Sequence, residues 1–205
     1  MSPVDSTFAV LAFSSLLAVV NPLSAAPIFL ALTSDHTAER RRRAAWKGAL
    51  TGFAVLMVFA LSGGALLGFF GITTQAFRIT GGIILFAIGW DMLQARRSRV
   101  KATEEEEMEP REDVGVIPLG LPTIAGPGAI TTVIVLTAQA EDLTGHLVVH
   151  GAIGTVILLT VGAMLVAPLL LHTFGRTGLN VMTRIMGLLV MVVGVQFVLD
   201  GLSWN

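Results

Sequence analysis

Long uncharged apolar runs alternate along this chain with short clusters of charge. Six runs are long enough to cross a bilayer as helices, at approximately residues 7–32, 48–70, 73–94, 116–139, 146–171 and 180–202, since about 20 apolar residues span the hydrocarbon core. Two of them break their own pattern. The first contains AVVNPLSAAPIFLALT, from Ala18, with Asn21, Pro22 and Pro27 inside it. The fourth contains GLPTIAGPGAITTVIVLT, from Gly120, with Pro122 and Gly126-Pro127-Gly128 at its middle and Pro118 just before. Proline removes a backbone donor and clashes with the preceding turn, so both spans are expected to be broken helices.

Composition fits this pattern. Of 205 residues, 54% are hydrophobic and only 13% charged, about half the charge of a soluble domain, and the mean hydropathy is +0.79. The expected fold class is therefore an all-α polytopic membrane protein embedded in the lipid bilayer. The start, MSPVDSTFAVLAF, lacks the basic region of a cleavable signal peptide, so the first run reads as a retained span. The chain has no cysteine, which excludes disulfides, thiol catalysis and cysteine-ligated metals.

The distribution of charge predicts a topology. Arg40–Arg43 and Lys47 follow the first span, QARRSRVKATEEEEMEPREDVG follows the third, and Arg176 lies in the fifth connection, whereas the second and fourth connections carry no Lys or Arg. Basic loops stay cytoplasmic, so both termini are expected outside the cytoplasmic (inner) membrane. Glu104–Glu107, in the central loop, reads as a solvated linker rather than a cation site.

That loop divides two similar halves, residues 1–95 and 116–205, with 96–115 as a hydrophilic cytoplasmic linker. FRITGGIILFAIG (from Phe77) and TRIMGLLVMVVG (from Thr183) both read Arg-Ile-x-Gly followed by an aliphatic stretch and another glycine, with Arg78 and Arg184 offset by 106 positions. Nearly the same offset carries Pro22 onto Pro127. Three spans per half is odd, so the second half enters the membrane inverted. Inverted repeats with discontinuous helices at matching positions are the sequence pointer to a secondary transporter and its substrate site.

The chemistry expected at the breaks follows from the backbone. A half-helix beginning near Pro127 directs free N–H groups and a positive dipole end toward an anion such as a carboxylate. Asn21 offers both donor and acceptor, and Thr131 and Thr132 add hydroxyls. Elsewhere, Arg78 and Arg184 sit near the starts of spans three and six, with snorkelling to the interface as their plain role and gating as the alternative. Asp142, His146 and His150 share one helix face, with His150 the weak candidate for proton handling. No metal site, cofactor or nucleic-acid partner is expected. No hydrolase or metalloprotease motif is present, so no enzyme is expected either. The small residues of LSGGALLG (from Leu61) and GLLVMVVG (from Gly187) read as helix-packing surfaces.

NPLSAAPIFLALT and PTIAGPGAITTVIVL together resemble the two signature segments of the MarC family of bacterial and archaeal inner-membrane proteins, and the resemblance extends over essentially the whole chain. It implies transport of a small neutral amino acid of the glycine or alanine type. Carried over by motif, the substrate site comprises Asn21, Pro22, Pro27, Gly126, Pro127, Gly128, Thr131 and Thr132. Ser-Ala-Ala stands between Leu23 and Pro27, where relatives are expected to carry a glycine, which leaves pocket size and substrate choice open. The reading is thus a secondary transporter working by alternating access, with H⁺ or Na⁺ as the candidate coupling ion and homo-oligomerisation left open. The alternatives are a non-transporting assembly or sensor subunit, or a transporter or exporter of another small solute.

Overall fold

The computed structural model describes residues 6–94, 114–140 and 142–202; the Glu104–Glu107 run and most of the linker lie outside them. Every regular element among the described residues is helical: α1 (Ser6–Val20), α2 (Pro22–Leu32), α3 (Ala38–Phe69), α4 (Thr74–Leu93), an interrupted coil at Gly115–Ile124, α5 (Pro127–Gln139), α6 (Leu143–Leu165) and α7 (Ala167–Leu202). Five apolar stretches are long enough to cross a membrane: Ser6–Leu32, α3, α4, α6 and Thr177–Leu202. The coil and α5 form a sixth, bent by 56° between its two parts.

Three boundaries differ from the sequence reading. The cluster Arg40–Arg43 is not a loop but the first turns of α3, which begins ten residues before position 48. Thr37 caps that end by accepting from the Arg40 N–H. Glu39 and Arg43 pair across one turn at 2.5 Å, an i,i+4 arrangement that supports a helix emerging into water. The fifth span ends at Leu165, earlier than position 171, because the chain turns at Val166. The expected loop around Gly175 is instead helical within α7, kinked where Gly175 takes φ 62°, a conformation glycine adopts without steric cost.

The halves interlock rather than pack side by side. α3 holds the 115–124 coil and α5, both from the far half of the chain, while α6 holds α1 and α2. Two features let α3 take irregular backbone against it. Gly48 and Gly52 leave no side chain in the way: a Cβ on Gly48 would lie 2.9 Å from Leu119 Cβ, and one on Gly52 2.5 Å from Ile124 Cγ2. Gly120 in turn fits over Thr51 and the Gly48 carbonyl. Non-helical backbone at membrane depth is tolerated where protein covers it, and here the cover is a glycine-lined stripe of α3.

α4 and α7 run antiparallel in the most extensive helix contact among the described residues. Gly82 meets the Gly194 carbonyl and Gly89 meets that of Gly187. Gly187 and Gly194 thus form the packing surface the sequence suggested. In LSGGALLG only Gly63 does so, against Ile134, while Gly64 and Gly68 face open space.

Candidate functional site

The first break is built by one residue. Asn21 takes a left-handed conformation (φ 49°, ψ 77°) between α1 and α2, a region that asparagine tolerates better than other side chains with a Cβ. Its N–H donates to the Leu17 carbonyl at 2.9 Å, closing α1. Its carbonyl accepts from Ser24 and Ala25 at 3.0 and 3.2 Å, opening α2. Pro22 follows at the first helical position, where its missing N–H is least costly to α2, but that same absence leaves the Ala18 carbonyl without its helical donor. The chain therefore continues as one span with an irregular joint.

The Asn21 side chain is buried, 1% exposed. Its Oδ1 accepts from the Ser24 N–H at 3.3 Å, which fixes the amide orientation and turns Nδ2 away from the cap. Nδ2 has no hydrogen-bond partner among the described residues. A buried amide donor left unpaired costs roughly 1–3 kcal/mol.

The second break has different causes. Ile117 and Leu121 are extended (φ −131° and −129°) because each precedes a proline, whose Cδ excludes the helical region for its predecessor. Both prolyl bonds, Ile117–Pro118 and Leu121–Pro122, are cis. Wide bonds span the coil, from the Leu119 N–H to the Val114 carbonyl and from the Ala125 N–H to the Gly120 carbonyl. α5 then begins with Gly126 as cap and Pro127 at its first position, and no side chain caps it. Gly126 and Gly128 are buried while Pro127 is exposed.

The two breaks touch. A Cβ built on Gly128 would lie 3.1 Å from Val19 Cγ1, two residues before Asn21, as well as 2.8 Å from Ile88 Cδ1 and 3.2 Å from Leu85 Cδ2. Gly128 is therefore where α5, α1 and α4 meet, and a Cβ there would require the tip of Ile88 to shift. Thr131, one turn on, presses its methyl against Gly81. The Thr132 hydroxyl donates to the Gly128 carbonyl at 2.8 Å within its own helix, so its proton is already used.

Residues 6–204 match the family model described as MarC family integral membrane protein. The chain belongs to the MarC family. Among its relatives, a UPF0056 membrane protein of Aquifex aeolicus is 38% identical over 94% of this chain and 91% of that protein. The Bacillus subtilis UPF0056 membrane protein YvbG is 38% identical over 96% and 95%, and the Escherichia coli protein YhcE 36% identical over 93% and 90%. No solved structure matches. This MarC protein is an integral, multi-pass membrane protein.

Of the remaining sequence candidates in this MarC chain, Pro27 lies within α2 and is half-buried, lining a cavity of about 500 Å³ with Leu30, Ala31, Leu179 and Asn180 near the α2–α7 contact. Arg78 and Arg184 are not alike: Arg184 is exposed, while the partly buried Arg78 has an unpartnered Nε. His150 sets Nδ1 2.6 Å from the His146 carbonyl, and its buried Nε2 has no partner among the described residues. Asp142, expected beside the histidines, is committed to capping α6 through the Gly145 N–H at 2.7 Å. Two polar groups escaped the sequence reading. The fully buried Ser15 hydroxyl has no partner among the described residues, and Ser24 Oγ lies 2.8 Å from Thr183 Oγ1, tying α2 to α7. A serine within an apolar run is the only signal for either.

Proposed function

We propose that this MarC protein is a secondary transporter for a small neutral amino acid, moved by alternating access across the cytoplasmic membrane, with both termini outside. Solute passage without chemical change is the whole of the proposed activity. The observation that carries the reading is the meeting of two broken spans at one buried point, Gly128 against Val19.

The polar groups at the breaks suit a zwitterion. Donors without acceptors stand at both breaks: the orphaned Asn21 Nδ2 at the first and, at the second, the N-terminus of α5, which no side chain caps. These favour a carboxylate. The first break also holds the C-terminal end of α1, with the Ala18 carbonyl deprived of its donor by Pro22, a negative dipole end that favours an ammonium group. Charges of both signs held within one small molecule match this pairing. Thr131 and freed carbonyls are the groups available to Na⁺, and H⁺ is the other coupling ion considered.

Contacts between the halves favour an inverted repeat of 1–95 and 116–205 around the linker. A shift of 105 positions carries Asn21-Pro22 onto Gly126-Pro127, Gly82 onto Gly187 and Gly89 onto Gly194. It also converts the Gly82–Gly194 contact into the Gly187–Gly89 contact, both of which occur. The α3 grip on the coil and α5 has its counterpart in the α6 grip on α1 and α2. Two such halves exchange conformations at little cost, which is what alternating access requires. In this reading, opening the site means withdrawing α5 from α1.

The absence of native cysteine makes the test clean. A single Thr131→Cys variant in sealed vesicles is treated with a membrane-impermeant thiol reagent from either face. Alternating access predicts labelling from both faces, slowed by the transported amino acid. Labelling from one face only, indifferent to every amino acid, contradicts it.

A further inference from the structure

α3 and α6 leave an open seam between them at the basic end of α3. A cavity of about 520 Å³ there is lined by Arg42, Arg43, Trp46, Lys47, Leu50 and Leu165. It runs, through the shared residues Trp46 and Leu50, into an apolar groove of about 280 Å³ bordered by Phe53, Gly154 and Leu158. From the geometry we propose that this seam is a specific site for one anionic phospholipid, its phosphate held by the basic end and one acyl chain lying in the groove.

The sequence sets both parts on one helix face. Arg43, Trp46, Leu50 and Phe53 follow at spacings of three or four residues, which align along a helix. From Arg42 to Phe53 the helix rises about 16 Å, the depth of roughly one leaflet of a hydrocarbon core about 30 Å thick. The charge lies at one end only, and Trp46, 44% exposed, sits between charge and grease, where tryptophan marks the membrane–water interface. Guanidinium and ammonium groups are suited to a phosphate. Glu39 engages one nitrogen of Arg43, so Arg42 is the principal phosphate contact assigned here, with the remaining Arg43 N–H groups and Lys47 lining the same end. The groove is deep because position 154 is glycine: a Cβ there would meet nothing within 4 Å. Leu50 and Leu158, 61% and 62% exposed, form walls with room between them. A zwitterionic lipid would fill the groove but gain less from three cations, and a free phosphate would gain nothing from the apolar half.

Native mass spectrometry of the full chain, released from micelles containing phosphatidylglycerol or phosphatidylcholine of equal chain length, tests this. The wild type is expected to retain one phosphatidylglycerol with a preference of about tenfold or more over phosphatidylcholine. Arg42→Gln/Arg43→Gln/Lys47→Gln should erase the preference. Gly154→Leu, whose Cβ enters open space and whose side chain occupies the groove, should lower retention of both lipids and leave the unfolding temperature unchanged. Equal retention of the two lipids by the wild type overturns the proposal, as does normal retention by Gly154→Leu. So does displacement of the lipid by glycerol phosphate alone, which would mean a simple anion site, or a dimer mass lost in Gly154→Leu, which would mean that a second copy covers the seam.

Discussion

Gly89 on α4 and Gly187 on α7 each occupy the space that the other's side chain would need. A Cβ on Gly89 would stand 2.5 Å from the Gly187 carbonyl oxygen, and one on Gly187 would stand 2.8 Å from that of Gly89. Seven residues along, Gly82 and Gly194 repeat the arrangement. Close backbone approach through small residues is how helices associate in lipid, where apolar side chains gain little from leaving equally apolar tails. The α4–α7 pair is therefore the firm axis on which the broken spans are mounted.

Enlarging that contact should be costly. Gly187→Ala is expected to destabilise the protein by about 1–3 kcal/mol, the usual penalty for overpacking. Gly151→Ala on α6, where the added methyl meets nothing within 4 Å, should stay within about 0.5 kcal/mol of wild type. Denaturation in detergent, followed by circular dichroism, separates the two.

Most of the spans, and the positions of both breaks, were legible because proline in an apolar run has one strong local consequence. What local pattern could not convey was partnership. Gly187 and Gly194 read as a packing surface, but that they meet Gly89 and Gly82 depends on the antiparallel pairing of distant helices. The basic cluster after the first span reads as a loop from its charge alone, although charge equally marks a helix continuing into solvent; the Thr37 cap and the Glu39–Arg43 spacing are the signals that separate the two. The Gly175 kink was hidden by a polar stretch that resembles a loop. At the candidate site the reverse held: Asn21 stood out, but its Nδ2 could be identified as unpaired only once Ser24 was seen to fix the amide.

The link between α2 and α7 is a second measurable contact. Thr183 donates its proton to the Leu179 carbonyl at 2.9 Å, so in the 2.8 Å contact Ser24 donates to Thr183. Thr183→Val strands the Ser24 hydroxyl and should cost about 0.5–1.5 kcal/mol. Adding Ser24→Ala should cost little more, because the partner is already lost, and a double-mutant cycle reads that non-additivity directly.

Gly128 should be sensitive to a single methyl. Gly128→Ala places its Cβ against Ile88 Cδ1 and Val19 Cγ1, and a loss of about 1–3 kcal/mol is expected. The nearest obstacle is the tip of Ile88, so Ile88→Val in the same chain should recover part of the loss. Thermal unfolding of the single and double variants checks the compensation.

Asn21 has a backbone role and a side-chain role, and two substitutions separate them. Asn21→Ala loses the cap, worth about 0.5–2 kcal/mol, and forces a Cβ-bearing residue without a local hydrogen bond into the left-handed region at about 1–2 kcal/mol. Asn21→Gly retains the conformation, should cost only a few tenths at the cap and also removes the unpaired buried donor, which offsets that loss. The expected result is an unfolding temperature for the glycine variant close to that of wild type, and one for the alanine variant below both.

That glycine variant makes the decisive experiment possible. Uptake of labelled glycine, alanine and serine is measured in proteoliposomes under imposed H⁺ and Na⁺ gradients, with wild type beside Asn21→Gly. The account predicts saturable uptake of at least one of these amino acids by wild type, reduced about tenfold or more when the buried amide is removed from a protein that still folds. Folded wild type that moves none of them under any gradient, or an Asn21→Gly protein that transports as well as wild type, would contradict it.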